Sequence, residues 1–502
     1  MSNEMATENP PPMSNGADAN GNAQVTNGTS ETTTTTTAPG LSADEIALYD
    51  RQIRLWGAQA QERIRSANVL LVSLRALGTE IAKNLTLAGI SSLTIVDDEP
   101  VTEDDLGAGY FLREEDIGKP VSRPKPPSTY PHANVPQRAE AAIPRIQELN
   151  PRVAITSDGS LSNLLAKDQT HYHPFSVIIA CDHDFLTLSA LNTAARVAGR
   201  PFYAASIHGM YGFIFADLVT HDFILEREKS NVPTSISAET MTRSVISSTT
   251  KKEPNGKVTE IVNKRETYCP LILANSSPLS PDIINNKRKL KQVSSLLPCL
   301  RALFEYQRNY TANPGHTPQE LATFTSLATA KSRELQLPAE TLKADFLRSF
   351  IQNIGAELIT TAAFVGGRLS EDVINVLGKR EQPIQNFALF DGEMLQGPIY
   401  CLYSPPPEVA MAAGMATGQV NGVAAAPQMP GVGDLSAQVL GGDLNAPFVG
   451  AGGEMNGLGA AMGMDASMMN GAGVDVGMSG MAGSGVAGMP MPTNGAQQPP
   501  QS

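Results

Sequence analysis

Four cysteines among 502 residues, Cys181, Cys269, Cys299 and Cys401, stand far apart and form no Cys-x-x-Cys pair. That spacing argues against a zinc centre and against a disulfide framework, and a reducing compartment, cytosol or nucleus, is expected. No apolar run reaches the length that spans a bilayer. The first residues lack a basic start and an apolar core, so a secretory segment is not expected. Lys and Arg are absent from residues 1–40 and from 404–502. These stretches have no helical or strand period and are expected to be disordered tails, the first Thr-rich, the second rich in Gly, Ala, Met and Pro. They hold ten of the thirteen net negative charges, so residues 41–403 are close to neutral. Charge therefore gives no support to nucleic-acid binding. His171, His173, His183 and His208 fall at no metal-ligand spacing, and no metal site is predicted.

A second shortage, of glycine, is local. Residues 67–73 read as a buried parallel strand, Gly78 to Ala88 as an amphipathic helix closed by Gly89, and 92–97 as the next strand. This is the pattern of a right-handed βαβ nucleotide-binding unit. Such a turn needs glycines so that its backbone can approach phosphates. Here it reads Ser73-Leu74-Arg75-Ala76-Leu77-Gly78, and only Gly78, the glycine that lets helix and strand pack, remains. Leu74 and Arg75 are expected to place side chains where phosphates should lie. Asp97, ending the second strand, is either a ribose ligand or a relic that caps locally.

Further along, residues 121–137 hold five prolines and cannot form a regular element. They are either a surface insertion or a gene-model artefact such as a translated intron. Helix is expected at 138–149 and 185–199, strand at 153–157, 175–181 and 201–206, and an antiparallel strand after Gly209. The alternation predicts a doubly wound, Rossmann-like mixed α/β sheet. Residues 226–266 are polar and Ser/Thr-rich and are expected to be a mobile surface loop. Their cluster Lys251, Lys252, Lys257, Lys264 and Arg265 is either a solvated linker or a nuclear address. Residues 283–350 are helical in pattern, 351–377 form a long helix or helix pair around Gly366-Gly367, and 387–392 and 399–403 are closing strands.

Tyr49-Asp50-Arg51-Gln52-Ile53-Arg54-Leu55-Trp56-Gly57, the βαβ unit, residues 209–218, Cys269-Pro270, Gly366-Gly367 and residues 386–392 follow one another in an order that resembles E1-type adenylation domains. These activate ubiquitin and its relatives. The resemblance covers nearly all of 41–403 and is nearest to the small, non-catalytic subunits of heterodimeric members that activate SUMO. The equivalent subunit for NEDD8 is the alternative; it carries a long helical insertion where this chain has 226–266. A nicotinamide-dependent dehydrogenase is disfavoured by the lost Gly-x-Gly-x-x-Gly.

The resemblance implies two paired adenylation domains, of which one binds ATP with Mg and the tail of the ubiquitin-like protein. The other, this chain, is implied to bind no cofactor in cis. Active members contact phosphates with Asn-x-Asn-Arg-Gln; the matching positions here are Asp105-Leu106-Gly107-Ala108-Gly109, and the carboxylate is expected to repel a triphosphate. The implied partners are the cysteine-bearing E1 subunit in an obligate heterodimer, SUMO, and an E2 enzyme through the complex, in the nucleus, with no nucleic acid or membrane. The first Arg of the motif, Arg51, is implied to reach in trans to the partner's ATP phosphates; otherwise it is a structural salt bridge. Arg54 is expected to be structural, pairing with Asp50. Tyr49, Gln52 and Trp56, with Gly366 and Gly367, are expected to serve the interface or the packing. None of the cysteines is expected to be the thioester nucleophile.

Overall fold

The computed structural model describes residues 40–117, 137–252 and 256–405. The expected tails, apart from Gly40, Ser404 and Pro405, and the Pro-rich stretch 121–137, apart from Gln137, lie outside the described residues.

Three short helices, α1 (Ala43–Leu48), α2 (Asp50–Trp56) and α3 (Ala58–Arg65), lead into β1 (Asn68–Val72). Then follow α4 (Ala76–Ala88), β2 (Ser92–Val96), α5 (Glu103–Leu106), α6 (Arg138–Leu149), β3 (Ala154–Ser157), α7 (Leu161–Leu165), β4 (Val177–Cys181), α8 (Phe185–Val197) and β5 (Phe202–His208). The chain turns back in β6 (Tyr211–Asp217), and β7 (Thr220–Glu228), β8 (Arg243–Lys252) and β9 (Val258–Thr267) form a separate sheet. A helical stretch comes next, α9 (Leu271–Ser276), α10 (Pro281–Ile284), α11 (Lys287–Lys291), α12 (Leu296–Tyr310), α13 (Pro318–Glu334), α14 (Ala344–Asn353) and α15 (Ile359–Gly378). Strands β10 (Phe387–Asp391) and β11 (Ile399–Tyr400) close the fold.

The eight-stranded sheet runs β11-β10-β6-β5-β4-β1-β2-β3. Strands β1 to β5 are parallel, and β6, β10 and β11 add antiparallel. This is the doubly wound mixed sheet that the alternation of elements predicts. Successive residues of β1 face opposite layers: Leu70 and Val72 join the core under α8 and α12, whereas Val69 and Leu71 join the core under α4 and α15. Burial on both faces explains why β1 and β4 read as unbroken apolar runs.

Close packing of α4 rests on small residues at two contacts. A Cβ at Gly78 would lie 2.1 Å from the Ser73 carbonyl oxygen, and one at Gly366 of α15 would lie 2.8 Å from Glu80 Cβ. Gly367, one residue on, has nothing within 4 Å. Of the expected pair of packing glycines, only Gly366 packs.

The expectation for 226–266 is corrected. Rather than a loop, these residues supply most of an antiparallel sheet in the order β7-β9-β8. Its buried face alternates Glu260, Val262, Lys264 and Glu266 along β9. Each charge is met: Arg227 reaches Glu260 at 2.9 Å, Lys264 reaches Glu239 at 2.6 Å and Arg243 reaches Glu266 at 2.5 Å. A half-buried face built from paired charges has the composition of a loop and the geometry of a strand. The basic cluster is likewise partly committed, since Lys257 meets Glu228 and Arg265 meets Asp222.

Candidate functional site

Strand order reverses between β1 and β4, and in open α/β sheets ligands bind outside the carboxyl ends of the strands at that point. The turn after β1 and the turn after β4 meet there around a cavity of about 240 Å³ lined by Arg75, Asp182, His183, His208, Gln307 and Glu357 among others.

The turn after β1 keeps a left-handed position of the kind a phosphate loop uses, without its glycines. Ser73 holds a φ of 77°, a left-handed conformation that suits glycine. Leu74 is 1% exposed and belongs to the core beneath α4. It therefore does not fill the phosphate position, contrary to expectation; its N–H donates to Asp97 Oδ2 at 2.6 Å. Arg75 stays half-exposed and forms an ion pair with Glu357. The Ala76 N–H at the head of α4 donates to the other Glu357 oxygen at 3.0 Å. Helix heads offer unpaired N–H groups and a positive dipole end to anions, and here the anion is the protein's own.

Asp97 is not open to a ribose. Its two oxygens accept from Arg138 Nη1 at 2.8 and 2.9 Å, besides the Leu74 N–H. Arg138 Nε also donates to Asp105 Oδ1 at 2.8 Å. The expected repulsive role of Asp105 is corrected accordingly: its charge is buried and paired, and it caps α5 through Thr102. Burial works against the Arg138 charge, but Asp97 and Asp105 outweigh it and hold the guanidinium above its ordinary pKa. Sequence reasoning missed Arg138 and Glu357. The one lies beyond the Pro-rich stretch, the other 281 positions from Ala76.

The far wall carries Asp182, His183 and His208. Asp182 Oδ1 accepts from Ser206 Oγ and the Ile207 N–H, each at 3.0 Å, while Oδ2 has no partner among the described residues. Burial, with the Glu357 charge adding to it, pushes its carboxyl up to about 6. Burial lowers His183 and takes His208 down to about 4. Among the described residues no group of three His, Cys, Asp or Glu is placed to hold a metal. Burial also raises the thiols of Cys181, Cys299 and Cys401, and takes Cys269 to about 11. None is a ready thiolate near neutral pH.

The motif residues 49–57 occupy a different surface. Tyr49 is buried; its hydroxyl accepts from Asn150 Nδ2 at 2.9 Å, and its ring fills the space a Cβ at Gly89 would need. Gln52 donates to the Leu87 carbonyl at 3.1 Å. Trp56 packs on the chain's own core, with its Nε1 donating to Gln61 at 2.8 Å. Arg54 pairs with Asp50 at 2.9 Å. Arg51 is exposed and has no side-chain partner in the described structure, so it is not the salt bridge that the structural alternative expected. Leu55, one turn on, is 78% exposed. Beside it runs a groove of about 530 Å³ between α2 and α15, lined by Trp56, Leu87, Gly367 and Ile374. Farther along α15, exposed Phe364 stacks on Phe390 at 4.2 Å.

The model of the ThiF family matches residues 49–407. The chain belongs to the ThiF family. Over 367 residues it is 37% identical to the DNA damage tolerance protein RHC31 of Saccharomyces cerevisiae, covering 72% of this chain and 97% of that protein. It is 30% identical over 369 residues to SUMO-activating enzyme subunit 1 of Homo sapiens, covering 72% of this chain and 96% of the relative. DNA damage tolerance protein rad31 of Schizosaccharomyces pombe is 32% identical over 363 residues. This ThiF-family chain is thus homologous to SUMO-activating enzyme subunit 1 along almost the whole length of that relative. The match starts at Tyr49, so the motif that carries Arg51 lies inside it.

Proposed function

We propose that this chain is the non-catalytic subunit of a heterodimeric E1 that activates SUMO. The observation that carries the reading is the self-filled crevice. Glu357 takes the head of α4, where a nucleotide phosphate would otherwise sit, in a chain homologous to SUMO-activating enzyme subunit 1. The partner subunit holds ATP and Mg, which supply the adenylation of the SUMO tail before its transfer to the partner's cysteine and onward to an E2. This chain pairs with it through the outer faces of α2 and α15, where Leu55, Phe364 and the groove beside Trp56 expose apolar surface. Obligate interfaces are large and core-like.

Arg51 extends from that face and offers its guanidinium to the phosphates in the partner's site. Charge gathers on phosphate oxygens as pyrophosphate departs, and a planar guanidinium stabilises it. Its lack of a side-chain partner among the described residues supports this role over a structural one. The NEDD8 alternative expects a long helical insertion at 226–266; β8 and β9 stand there instead. Residence in the nucleus belongs to the same proposal.

SUMO-dependent ATP–pyrophosphate exchange tests the reading, with the chain alone, with its partner, and with the partner and Arg51→Ala. Silence alone, activity in the pair and a loss of about tenfold or more for the variant are expected. Activity of the isolated chain overturns the non-catalytic assignment. Full activity of the variant removes Arg51 from the chemistry and leaves a scaffold.

A further inference from the structure

We propose that Arg380 is a positioning residue for Arg51: it ties the last turn of α2 to the second sheet and so holds the helix that presents the Arg51 guanidinium. The inference rests on the proposed role of Arg51 and names the device that aims it.

Helix α2 has seven residues, and none of them is fully buried. A helix that short does not hold itself together in water, so its place depends on tethers. The first turn has two: Tyr49 bonds Asn150, and Gln52 donates to the Leu87 carbonyl. The last turn leaves carbonyls without helical partners. Trp56 Nε1 ties this turn only to Gln61 of the adjoining α3. The outside tether is Arg380, whose Nη1 donates to the Trp56 carbonyl at 3.2 Å. A cation is also the favoured charge at the carboxyl end of a helix. Nη2 of the same guanidinium donates to Glu226 of β7 at 2.6 Å. One side chain therefore joins the helix that carries Arg51 to the second sheet.

The backbone beneath that guanidinium is fixed. Arg380 follows α15 and stands between Lys379 and Glu381, which hold φ values of 54° and 59°. The Ile224 N–H of β7 donates to the Lys379 carbonyl, and the Ile224 carbonyl accepts from the Glu381 N–H, each at 3.1 Å. The Arg380 N–H returns to the Asn375 carbonyl at 3.0 Å.

The corner between α2 and α3 is shaped to this seat. Gly57 makes the turn with a φ of 87°, and a Cβ there would lie 3.3 Å from Arg380 Nη1. The glycine that ends the motif thus leaves room for the guanidinium as well as turning the chain. Helix α3 docks on the same block, with Arg63 Nη1 on the Gly378 carbonyl at 2.8 Å.

Arg51 lies little more than one turn before Trp56. Helix formation is cooperative, so in a helix of two turns the loss of the last turn spreads to the first. A guanidinium that must meet phosphate oxygens in another subunit tolerates little displacement, since about 1 Å can cost on the order of 100-fold in rate.

The test measures SUMO-dependent ATP–pyrophosphate exchange by the assembled enzyme, for wild type, Arg380→Ala, Arg51→Ala and the double variant. Thermal melting and co-purification check that each variant is folded and paired. Arg380→Ala is expected to lower kcat by about threefold or more, with the KM for ATP little changed. On the Arg51→Ala background the same substitution is expected to cost nothing further, because the group it aims is gone. Glu226→Gln, at the other end of the tether, is expected to give a smaller loss with the same dependence on Arg51. It carries the test if Arg380→Ala does not fold or pair. An unchanged kcat, or an equal loss with and without Arg51, overturns the inference and leaves the role of Arg51 standing. Full exchange by Arg51→Ala overturns that role and the inference with it.

Discussion

The crevice between β1 and β4 and the outer face of α2 and α15 differ in how their groups are satisfied. In the crevice nearly every charge has an internal partner: Arg138 joins Asp97 and Asp105, and Glu357 joins Arg75 and α4. On the outer face Arg51 has no side-chain partner among the described residues, and Leu55 and Phe364 are exposed. On the proposed function, the unpaired guanidinium and exposed apolar side chains of the outer face are where the partner subunit is met.

The contrast breaks most severely at Arg138. Arg138→Leu leaves two carboxylates buried without a cation, and denaturant unfolding is expected to show a loss of about 3–5 kcal/mol. A loss under about 1 kcal/mol would mean that the crevice does not depend on that triad.

Acid probes the same region with a definite sign. His208 titrates near 6.5 when unfolded and about 4 when folded, so its contribution is intact above pH 6.5 and is lost as pH falls toward 4. The fall amounts to about 3 kcal/mol at most. His208→Gln should flatten the stability profile across that window. Asp182 acts oppositely: its carboxyl, held up at about 6, makes the fold gain stability as pH falls below that value.

The open face answers to a different readout. Leu55→Asp is expected to weaken association with the partner by about tenfold or more while leaving the melting temperature of the isolated chain unchanged. Weakened folding without weakened association would assign Leu55 to the chain's own core. The smallest effect separates the two glycines of α15. Gly367→Ala meets nothing within 4 Å and should stabilise the isolated chain by about 0.8–1 kcal/mol through helix propensity. Gly366→Ala runs into Glu80 and should destabilise it.

Legibility in the sequence followed the range of each contact. The strands and helices of the βαβ unit were readable because their signals, apolar runs and Gly78 and Gly89, are local. The missing glycines of the turn after β1 are legible for the same reason. The closure of that turn is not, because Glu357 and Arg138 reach the crevice from distant positions and look like ordinary surface charges. Leu74 was misplaced because a one-residue change of direction at Ser73 sends its side chain into the core. Strands β8 and β9 were missed because their inner face is made of paired charges, and hydrophobic alternation is blind to a charge whose partner lies on another strand.

On the proposed function, the Glu357 contact makes the loss of nucleotide binding a ratchet. Restoring glycine at 73 and 75 would rebuild the loop but leave a carboxylate at the helix head, now without its arginine. Removing Glu357 alone would free a guanidinium beside a loop that still lacks the glycines of a phosphate turn. Neither step is rewarded by itself, and the two lie 281 positions apart when counted from Ala76. A lineage that reaches this arrangement has no single substitution that leads back, and under the proposed function its reliance on a second subunit becomes a one-way inheritance.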